Sequence, residues 1–174
     1  AASHLAAITA LEHLRTHRSK ATTGFGSAGK RTAAQKEAAR AHGRRVIDSV
    51  PSRTLIAFTD GSASPNPGPS GAGAYVYSST EGDAWNDEAI AALGHGTNNQ
   101  GELWAIGMAA QIILRRVQAA PEDYDGGRVF TDSTFAKCCL EGVWKTSKYP
   151  ELVAAVSTII DEIKTFIDFK IIYD

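Results

Sequence analysis

The pattern of hydrophobic and polar positions changes at residue 53 and divides the chain in two. Apolar side chains from Leu5 to Leu14 recur at helical spacing, and a stretch rich in Gly, Ser, Thr and Lys follows them. Beyond residue 53, short β-prone runs alternate with turn residues and with longer stretches of helical periodicity. The pattern therefore predicts a partly helical or flexible N-terminal arm over residues 1–50 and a folded domain over residues 53–174.

Three β-prone runs open the predicted domain. The first is Thr54–Thr59, the second is Gly71–Ser78, and a weaker third lies within Asp83–Leu93. Between the first two, the prolines from Pro65 to Pro69 form a stiff turn that no helix or central strand could pass through. Three successive strands joined by short connections are typical of an antiparallel meander.

Helical and β-prone patterns alternate in the remainder of the chain. The predicted elements are a helix that starts at Thr97 and has its apolar face from Leu103 to Val117, a strand over Arg128–Thr131, a helix over Thr134–Leu140, a helix with apolar positions from Leu152 to Ile167, and a final strand over Phe169–Tyr173. Together with the meander, this order indicates an α/β domain in which helices pack on the faces of a mixed sheet.

Length and composition exclude two classes of protein. A chain of 174 residues with 43 % hydrophobic residues can bury a sizeable core without disulfides or a structural metal. No stretch approaches the ~18 consecutive apolar residues of a membrane-spanning helix. The only two cysteines, Cys138 and Cys139, are adjacent, which suits neither a metal knuckle nor an ordinary disulfide. We therefore expect neither a membrane protein nor a disulfide scaffold.

The net charge of −1 conceals an asymmetry along the chain. Residues 1–50 hold nine Lys and Arg against three Asp and Glu, a balance of +6, whereas residues 51–174 hold nine against sixteen, a balance of −7. The basic arm fits a solvated tether, an arm that contacts nucleic-acid phosphates, or a targeting peptide, and composition does not separate these interpretations. Near-neutrality therefore does not exclude a nucleic-acid partner.

Three carboxylates stand out by their position. Asp60 and Asp132 end predicted strands, and Glu102 falls in the predicted first turn of a helix. Strand ends in an open α/β sheet face a shared crevice, where converging carboxylates repel one another unless a cation lies between them. Oxygen ligands of this kind suit Mg²⁺ or Mn²⁺. Turn and capping roles explain the same residues one by one, so position alone leaves a metal site and structural acids equally open.

Three sequence blocks resemble the signature blocks of type 1 ribonuclease H. They are Phe58–Tyr77 (FTDGSASPNPGPSGAGAYVY), Thr97–Ile106 (TNNQGELWAI) and Val129–Ala136 (VFTDSTFA), and they occur in that family's order. The resemblance extends from Leu55 to Tyr173. The ribonuclease H domain of a retroelement reverse transcriptase is one origin that it allows.

The resemblance implies a ribonuclease H-like fold, in which helices flank a five-stranded mixed sheet of three antiparallel and then two parallel strands. It implies an endoribonuclease that hydrolyses the RNA strand of RNA–DNA hybrids with two Mg²⁺ ions, for which Mn²⁺ can substitute, and leaves 5′-phosphate and 3′-hydroxyl ends. The expected partner is therefore an RNA–DNA hybrid. We expect no membrane partner, a monomer or one part of a larger polyprotein, and an intracellular location in the nucleus or cytoplasm rather than the mitochondrion, without secretion.

By motif match, the resemblance implies that Asp60, Glu102 and Asp132 are the catalytic metal ligands. It also implies contacts with the 2′-hydroxyls of RNA, with a DNA-strand phosphate and along the scissile strand. The residues implied for these contacts are, in that order, Asn98, Asn99 and Gln100; Asn66 and Thr97; and Ser62 and Ser133. Separately, an aromatic residue with a lysine beside it, Trp144 and Lys145, suits contact with the DNA strand. Helix capping is an alternative role for the two asparagines of the TNN motif, and packing under a loop is an alternative for the tryptophan.

The chain departs from the family pattern at its C-terminal end. The family carries a fourth carboxylate and a helix beyond its last strand, whereas this sequence stops at Asp174, directly after the predicted strand. We therefore expect a ribonuclease H-like domain that is truncated at its C-terminus, lacks the C-terminal helix and has impaired metal affinity. A catalytically impaired module that binds hybrid or duplex nucleic acid is the alternative function.

Overall fold

The computed structural model of this chain describes residues 33–34, 50–144 and 148–174. Over these residues the elements are, in order, β1 (Thr54–Ala63), β2 (Gly68–Ser78), β3 (Gly82–Gly96), α1 (Asn98–Ala119), β4 (Gly126–Thr131), α2 (Thr134–Leu140), α3 (Pro150–Lys164) and β5 (Asp168–Tyr173). This is the predicted order of strands and helices. The predicted arm lies almost wholly outside the described residues, so the division into arm and domain stays a prediction.

The five strands form one mixed sheet in the order β3-β2-β1-β4-β5. β1 pairs antiparallel with β2, and β2 with β3, whereas β1 pairs parallel with β4, and β4 with β5. α1 packs against β1 and β2 and also contacts α3. The predicted α/β architecture, a five-stranded mixed sheet of three antiparallel and then two parallel strands flanked by helices, is confirmed.

The first two strands are longer than the sequence predicts. β1 does not end at Asp60, because its antiparallel pairing with β2 continues to Ala63. β2 starts at Gly68 and takes in Pro69, although the prolines predict a turn there. The carbonyl of Pro69 accepts a hydrogen bond from the backbone N–H of Ser64 at 3.0 Å. The side of Pro69 that lacks an N–H therefore faces Ser64, where β1 has already ended, and the proline removes no hydrogen bond within the paired strands.

α3 is shorter than the hydrophobic periodicity predicts. It ends at Lys164, so Phe166 and Ile167 follow the helix rather than continue its apolar face. Ile167 still belongs to the hydrophobic core, whereas Phe166 is exposed. The helix predicted from the spacing of apolar residues therefore extends too far, because it includes the short connection between α3 and β5.

The hydrophobic core fixes α1 at the centre of the molecule. This helix is buried at every position from Gln100 to Leu114. Its Leu103 belongs to one core cluster with Leu55 of β1 and Val76 of β2. Burying a large apolar side chain contributes about 1.5–3 kcal/mol, and many such side chains hold α1 against the sheet. Residues at the N-terminal end of α1 are therefore held rigidly relative to β1.

The structure bears on the two classes that composition excludes, membrane proteins and disulfide scaffolds. In the part of the chain that the structure describes, no helix combines the length and the apolar character needed to cross a membrane. Cys138 and Cys139 are both free thiols. These two adjacent cysteines are therefore not joined to each other by a disulfide.

Candidate active site

Asp60 lies where two neighbouring strands of the sheet separate. β1 stays paired with β4 only as far as Phe58, opposite Phe130, but its pairing with β2 continues through Asp60. The side chain of Asp60 is exposed just past the point where β1 and β4 part. Such a point in an α/β sheet is where ligands commonly bind. The position of this carboxylate is thus set by the point where β1 separates from β4, and not by the end of β1.

Asp132 is the first residue after β4, across the same opening. Hydrogen bonds hold the backbone around it. The N–H of Ser133 donates to the Thr131 hydroxyl at 3.1 Å, and the Ser133 hydroxyl accepts from the N–H of Ala136 at 3.1 Å as the N-cap of α2. Asp132 is therefore fixed between the end of a strand and the start of a helix.

Glu102 reaches the site from α1 through an unusually close contact between the helix and β1. The helix begins at Asn98, so Glu102 is its fifth residue and lies beyond the first turn in which the sequence predicts it. A Cβ on Gly61 would lie 2.1 Å from the carbonyl carbon of Gly101, and a Cβ on Gly101 would lie 2.9 Å from the carbonyl oxygen of Gly71. Glycine at these positions lets the helix backbone lie directly on the strand.

The three carboxylates converge in space. Asp60, Glu102 and Asp132 each offer an oxygen, and these oxygens lie within 4.8 Å of one another. Asp60 and Asp132 are exposed, whereas Glu102 is only 8 % exposed. Separate turn and capping roles would not require the three side chains to meet. Their convergence therefore favours a metal site over structural acids.

The electrostatics of Glu102 suit the binding of a cation. Burial first, and then the negative charges of Asp132 and Asp60, raise the pKa of the Glu102 carboxyl to about 8, while a hydrogen bond from the backbone N–H of Gly61 lowers it. Oxygen Oε2 of Glu102 is buried without a hydrogen-bond partner. A divalent cation would offset the repulsion and take this oxygen as a ligand. Three hard oxygen donors suit Mg²⁺ or Mn²⁺.

Asn66, Thr97 and Asn98 are brought together at the start of α1. The N–H of Asn98 donates to Oδ1 of Asn66 at 3.1 Å, and Oδ1 of Asn98 accepts from the N–H of Ala63 at 2.6 Å. The Thr97 hydroxyl accepts from the N–H of Gln100 at 3.2 Å and caps the helix. Because both carboxamide oxygens accept hydrogen bonds within the protein, the amide NH₂ groups are the hydrogen-bond donors that Asn66 and Asn98 have left to offer.

Within the TNN motif, the threonine caps the helix and the two asparagines do not. Thr97, rather than Asn98 or Asn99, is the N-cap, and both asparagines are exposed in the first turn of α1. Gln100 is only 8 % exposed, and its Oε1 lies 2.7 Å from the position of a Cβ on Gly96. The side chains of the two asparagines are therefore open to solvent, whereas the side chain of Gln100 packs inside the protein, and the predicted contacts with RNA stay predictions.

The remaining predicted contacts fall into two groups. Ser62 and Ser133 are partly exposed, and each lies within two residues of a clustered aspartate in the sequence. Trp144 is 47 % exposed, so about half of its side chain is open to solvent, and its predicted contact with the DNA strand stays a prediction. Lys145 lies outside the described residues. Its predicted contact with the DNA strand stays a prediction.

Two features of the site escape the sequence analysis. Gly101 stands in the TNNQGEL block, but local spacing does not reveal that β1 crosses the helix there. The hydroxyl of Tyr149 lies 2.5 Å from Oγ1 of Thr97, and 52 positions separate the two residues. The one local signal at Tyr149 is the proline that follows it, which indicates a boundary and not a contact.

Comparison with known proteins agrees with this geometry. The RNase H family model matches residues 52–169. A ribonuclease H of Aromatoleum aromaticum (strain DSM 19018 / LMG 30748 / EbN1) is 40 % identical over 81 residues, which are 46 % of this chain and 44 % of that protein. The aligned region therefore spans less than half of that relative's length.

Solved structures share the fold. RNase H1 from the halophilic archaeon Halobacterium salinarum NRC-1 is 28 % identical with a TM-score of 0.52, and the match covers 70 % of this chain and 85 % of that one. LC11-RNase H1, solved in complex with an RNA/DNA hybrid, is 25 % identical with a TM-score of 0.52 over 69 % and 84 % of the two chains. An origin in a retroelement stays a prediction. The match of the family model over more than half of the sequence, together with the convergent carboxylates, shows that this chain belongs to the ribonuclease H family.

Proposed function

We propose that this chain is an endoribonuclease that hydrolyses the RNA strand of RNA–DNA hybrids with two divalent metal ions, normally Mg²⁺, and leaves 5′-phosphate and 3′-hydroxyl ends. The observation that carries the proposal is the convergence of three carboxylates to within 4.8 Å in a member of the ribonuclease H family. LC11-RNase H1, which has a similar fold, binds an RNA/DNA hybrid, and this supports the same substrate class here.

Asp60, Glu102 and Asp132 are the residues that would hold the metal ions. The backbone N–H of Gly61 hydrogen bonds to the Glu102 carboxylate and orients it, and Oε2 of Glu102 is available as a ligand. Bound Mg²⁺ supplies Lewis-acid chemistry, which lowers the pKa of water and stabilises negative charge on a leaving oxygen. Because Asp60 and Asp132 are exposed, the cluster is open to a nucleic-acid strand.

The first turn of α1 is where we expect RNA to be distinguished from DNA. Asn98 and Asn99 are exposed there, and a carboxamide hydrogen bonds to the 2′-hydroxyl that DNA lacks. Asn66 and Thr97 lie beside them and are suited to a phosphate of the DNA strand. The N-terminal end of a helix also favours a bound anion, because its first N–H groups carry partial positive charge.

Cleavage assays on a short labelled RNA–DNA hybrid in Mg²⁺ test the proposal, with duplex DNA and duplex RNA as comparison substrates. We expect cleavage of the hybrid alone, and we expect Asp60→Asn to abolish it. Asp161→Asn is the matched control, because Asp161 is an exposed carboxylate of α3 outside the cluster. Equal cleavage of duplex DNA, or full activity of Asp60→Asn, would contradict the proposed function.

Two further measurements test the metal count and the product ends. Titration calorimetry with Mn²⁺ in the presence of the hybrid should show two bound ions, and the product ends should be a 5′-phosphate and a 3′-hydroxyl by ligation. A chain that binds the hybrid but does not cut it would instead support the alternative function, a catalytically impaired module that binds nucleic acid.

A further inference from the structure

Tyr149 has a backbone conformation that its local sequence disfavours. Its φ of 55° and ψ of 43° lie in the left-handed region, which is unfavourable for a residue with a Cβ. A residue that precedes a proline, here Pro150, ordinarily prefers extended backbone. Contacts made by Tyr149 elsewhere in the fold must therefore hold it in place.

The contacts of the Tyr149 side chain lead to the N-cap of α1. Its ring packs against the hydrophobic core, and its hydroxyl forms a hydrogen bond of 2.5 Å with Oγ1 of Thr97. The same oxygen of Thr97 accepts the N–H of Gln100. Tyr149 thus bonds to the side-chain oxygen of the N-cap residue of the helix carrying Glu102.

The first turn of α1 is held from two sides. On one side, Asn98 is bound to Ala63 at the end of β1 and to Asn66 in the connection between β1 and β2. On the other side, Thr97 is bound to Tyr149 at the start of α3. The exposed asparagines of this turn therefore lie between two anchors. Of the residues that form these anchors, Tyr149 is the one outside the three family blocks.

We propose that Tyr149 is a positioning residue for nucleic-acid binding, because its hydroxyl fixes Thr97 and thereby the first turn of α1. The inference rests on the proposed function and identifies a determinant of substrate affinity within it. A group that is held in its bound arrangement before binding loses less conformational freedom when substrate arrives. The hydroxyl of Tyr149 therefore contributes to affinity for the hybrid through its hydrogen bond to Thr97.

The first test compares Tyr149→Phe with Tyr124→Phe. Each substitution removes one hydrogen-bonded hydroxyl and keeps the ring, but the Tyr124 hydroxyl binds Arg116 and Glu81 near the other end of α1. We expect Tyr149→Phe to raise the KM for the hybrid about two- to tenfold, with kcat changed by less than about twofold. Tyr124→Phe should lower the thermal stability and leave KM unchanged.

The second test is a double-mutant cycle between Tyr149 and Thr97. Binding of a labelled hybrid is measured in the cleavage-deficient Asp60→Asn background, so that affinity is recorded without turnover. Tyr149→Phe should weaken binding when Thr97 is intact and should have no further effect after Thr97→Ala, because the two hydroxyls act as a pair. Thr97→Ser, which keeps the oxygen, should retain the effect of Tyr149→Phe.

The outcomes separate this inference from the proposed function. If the unsubstituted chain cuts the hybrid and Tyr149→Phe has the same KM, the role of Tyr149 is wrong and the proposed function stands. Additive effects of the two substitutions would also overturn the inference. If the unsubstituted chain neither binds nor cuts the hybrid, the proposed function fails and this inference fails with it.

Discussion

The two ends of α1 differ in the charges that surround them. Near the C-terminal end, the Arg116 guanidinium donates to the Glu81 carboxylate at 3.0 Å and to the Tyr124 hydroxyl at 2.7 Å, and it stacks 4.6 Å from the centre of the Trp85 ring. Near the N-terminal end, Glu102 meets two further carboxylates and keeps one buried oxygen without a partner. At one end an acid is paired with a cation of the protein, whereas at the other end three acids converge.

This difference shows how one helix can serve both stability and function. A buried polar group without a partner destabilises the protein, and a like-charge cluster adds repulsion. Such an arrangement is tolerated only where the rest of the fold enforces it, here through the contact of α1 with β1. Substitutions at the N-terminal end should therefore lower activity without lowering stability. Substitutions at the C-terminal end should lower stability without lowering activity.

The largest expected effect comes from Glu102→Gln. It removes a metal ligand while keeping the size of the side chain, so kcat/KM for the hybrid should fall on the order of 1,000-fold or more. The same substitution should raise the melting temperature of the metal-free protein near pH 8, because it removes a repelled buried charge. Glu122→Gln, an exposed carboxylate after α1, should change neither quantity. A less stable metal-free Glu102→Gln protein would contradict this view of the N-terminal end.

Gly61→Ala tests the contact that enforces the cluster. A Cβ there would overlap the backbone of α1, so we expect a loss of about 3 kcal/mol or more in the free energy of unfolding, with loss of cleavage. Gly142→Ala is the comparison, because its φ of +73° is strained for alanine but nothing lies within 4 Å. That variant should lose only about 1 kcal/mol. Equal losses by denaturant titration would mean that the close approach is not required.

The metal-free protein should lose stability as the pH rises. The pKa of Glu102 is raised from 4.5 to about 8 by folding, so between these values the folded protein holds a proton that the unfolded chain has released. The stabilisation that this proton gives to the folded state is complete below pH 4.5, declines as the pH rises and is lost above about pH 8. Its expected size is on the order of 2–4 kcal/mol. Denaturant titrations with a chelator present measure it.

Two variations sharpen this test of the carboxylate cluster. Glu102→Gln should lack this part of the pH dependence, because the amide does not titrate. Added Mg²⁺ should stabilise the unsubstituted protein most at the alkaline end of the range, where the carboxylates are charged. Identical pH profiles of the two proteins would show that Glu102 is not the titrating group.

The smallest effect on function is expected from Arg116→Met, which keeps an apolar stem but removes the guanidinium. The ion pair with Glu81 is partly exposed, so the free energy of unfolding should fall by about 1–2 kcal/mol. kcat/KM measured on the folded protein should not change. Lys164→Met, an exposed cation at the end of α3, serves as the control for lost positive charge. A lower kcat/KM for Arg116→Met would mean that the two ends of α1 are coupled.

Much of the candidate site could be predicted because the signals are local. Asp60 and Asp132 follow β-prone runs and Glu102 follows a helix-start signal, so their positions in the fold follow from the order of elements. Glu102 nevertheless lies just beyond the first turn of its helix, in which the sequence predicts it, and β1 runs past Asp60. Both differences arise because pairing and capping with distant residues decide where an element begins and ends.

The sequence by itself determined the element order, the α/β class and the three acids, because hydrophobic periodicity and turn residues act over short stretches of chain. Only the tertiary structure decided that Gln100 is buried, that Gly61 and Gly101 are in contact, and that Tyr149 bonds to Thr97. Each of these facts depends on two segments packed together across many positions. Local pattern carries no record of such contacts, since side-chain packing in three dimensions selects them.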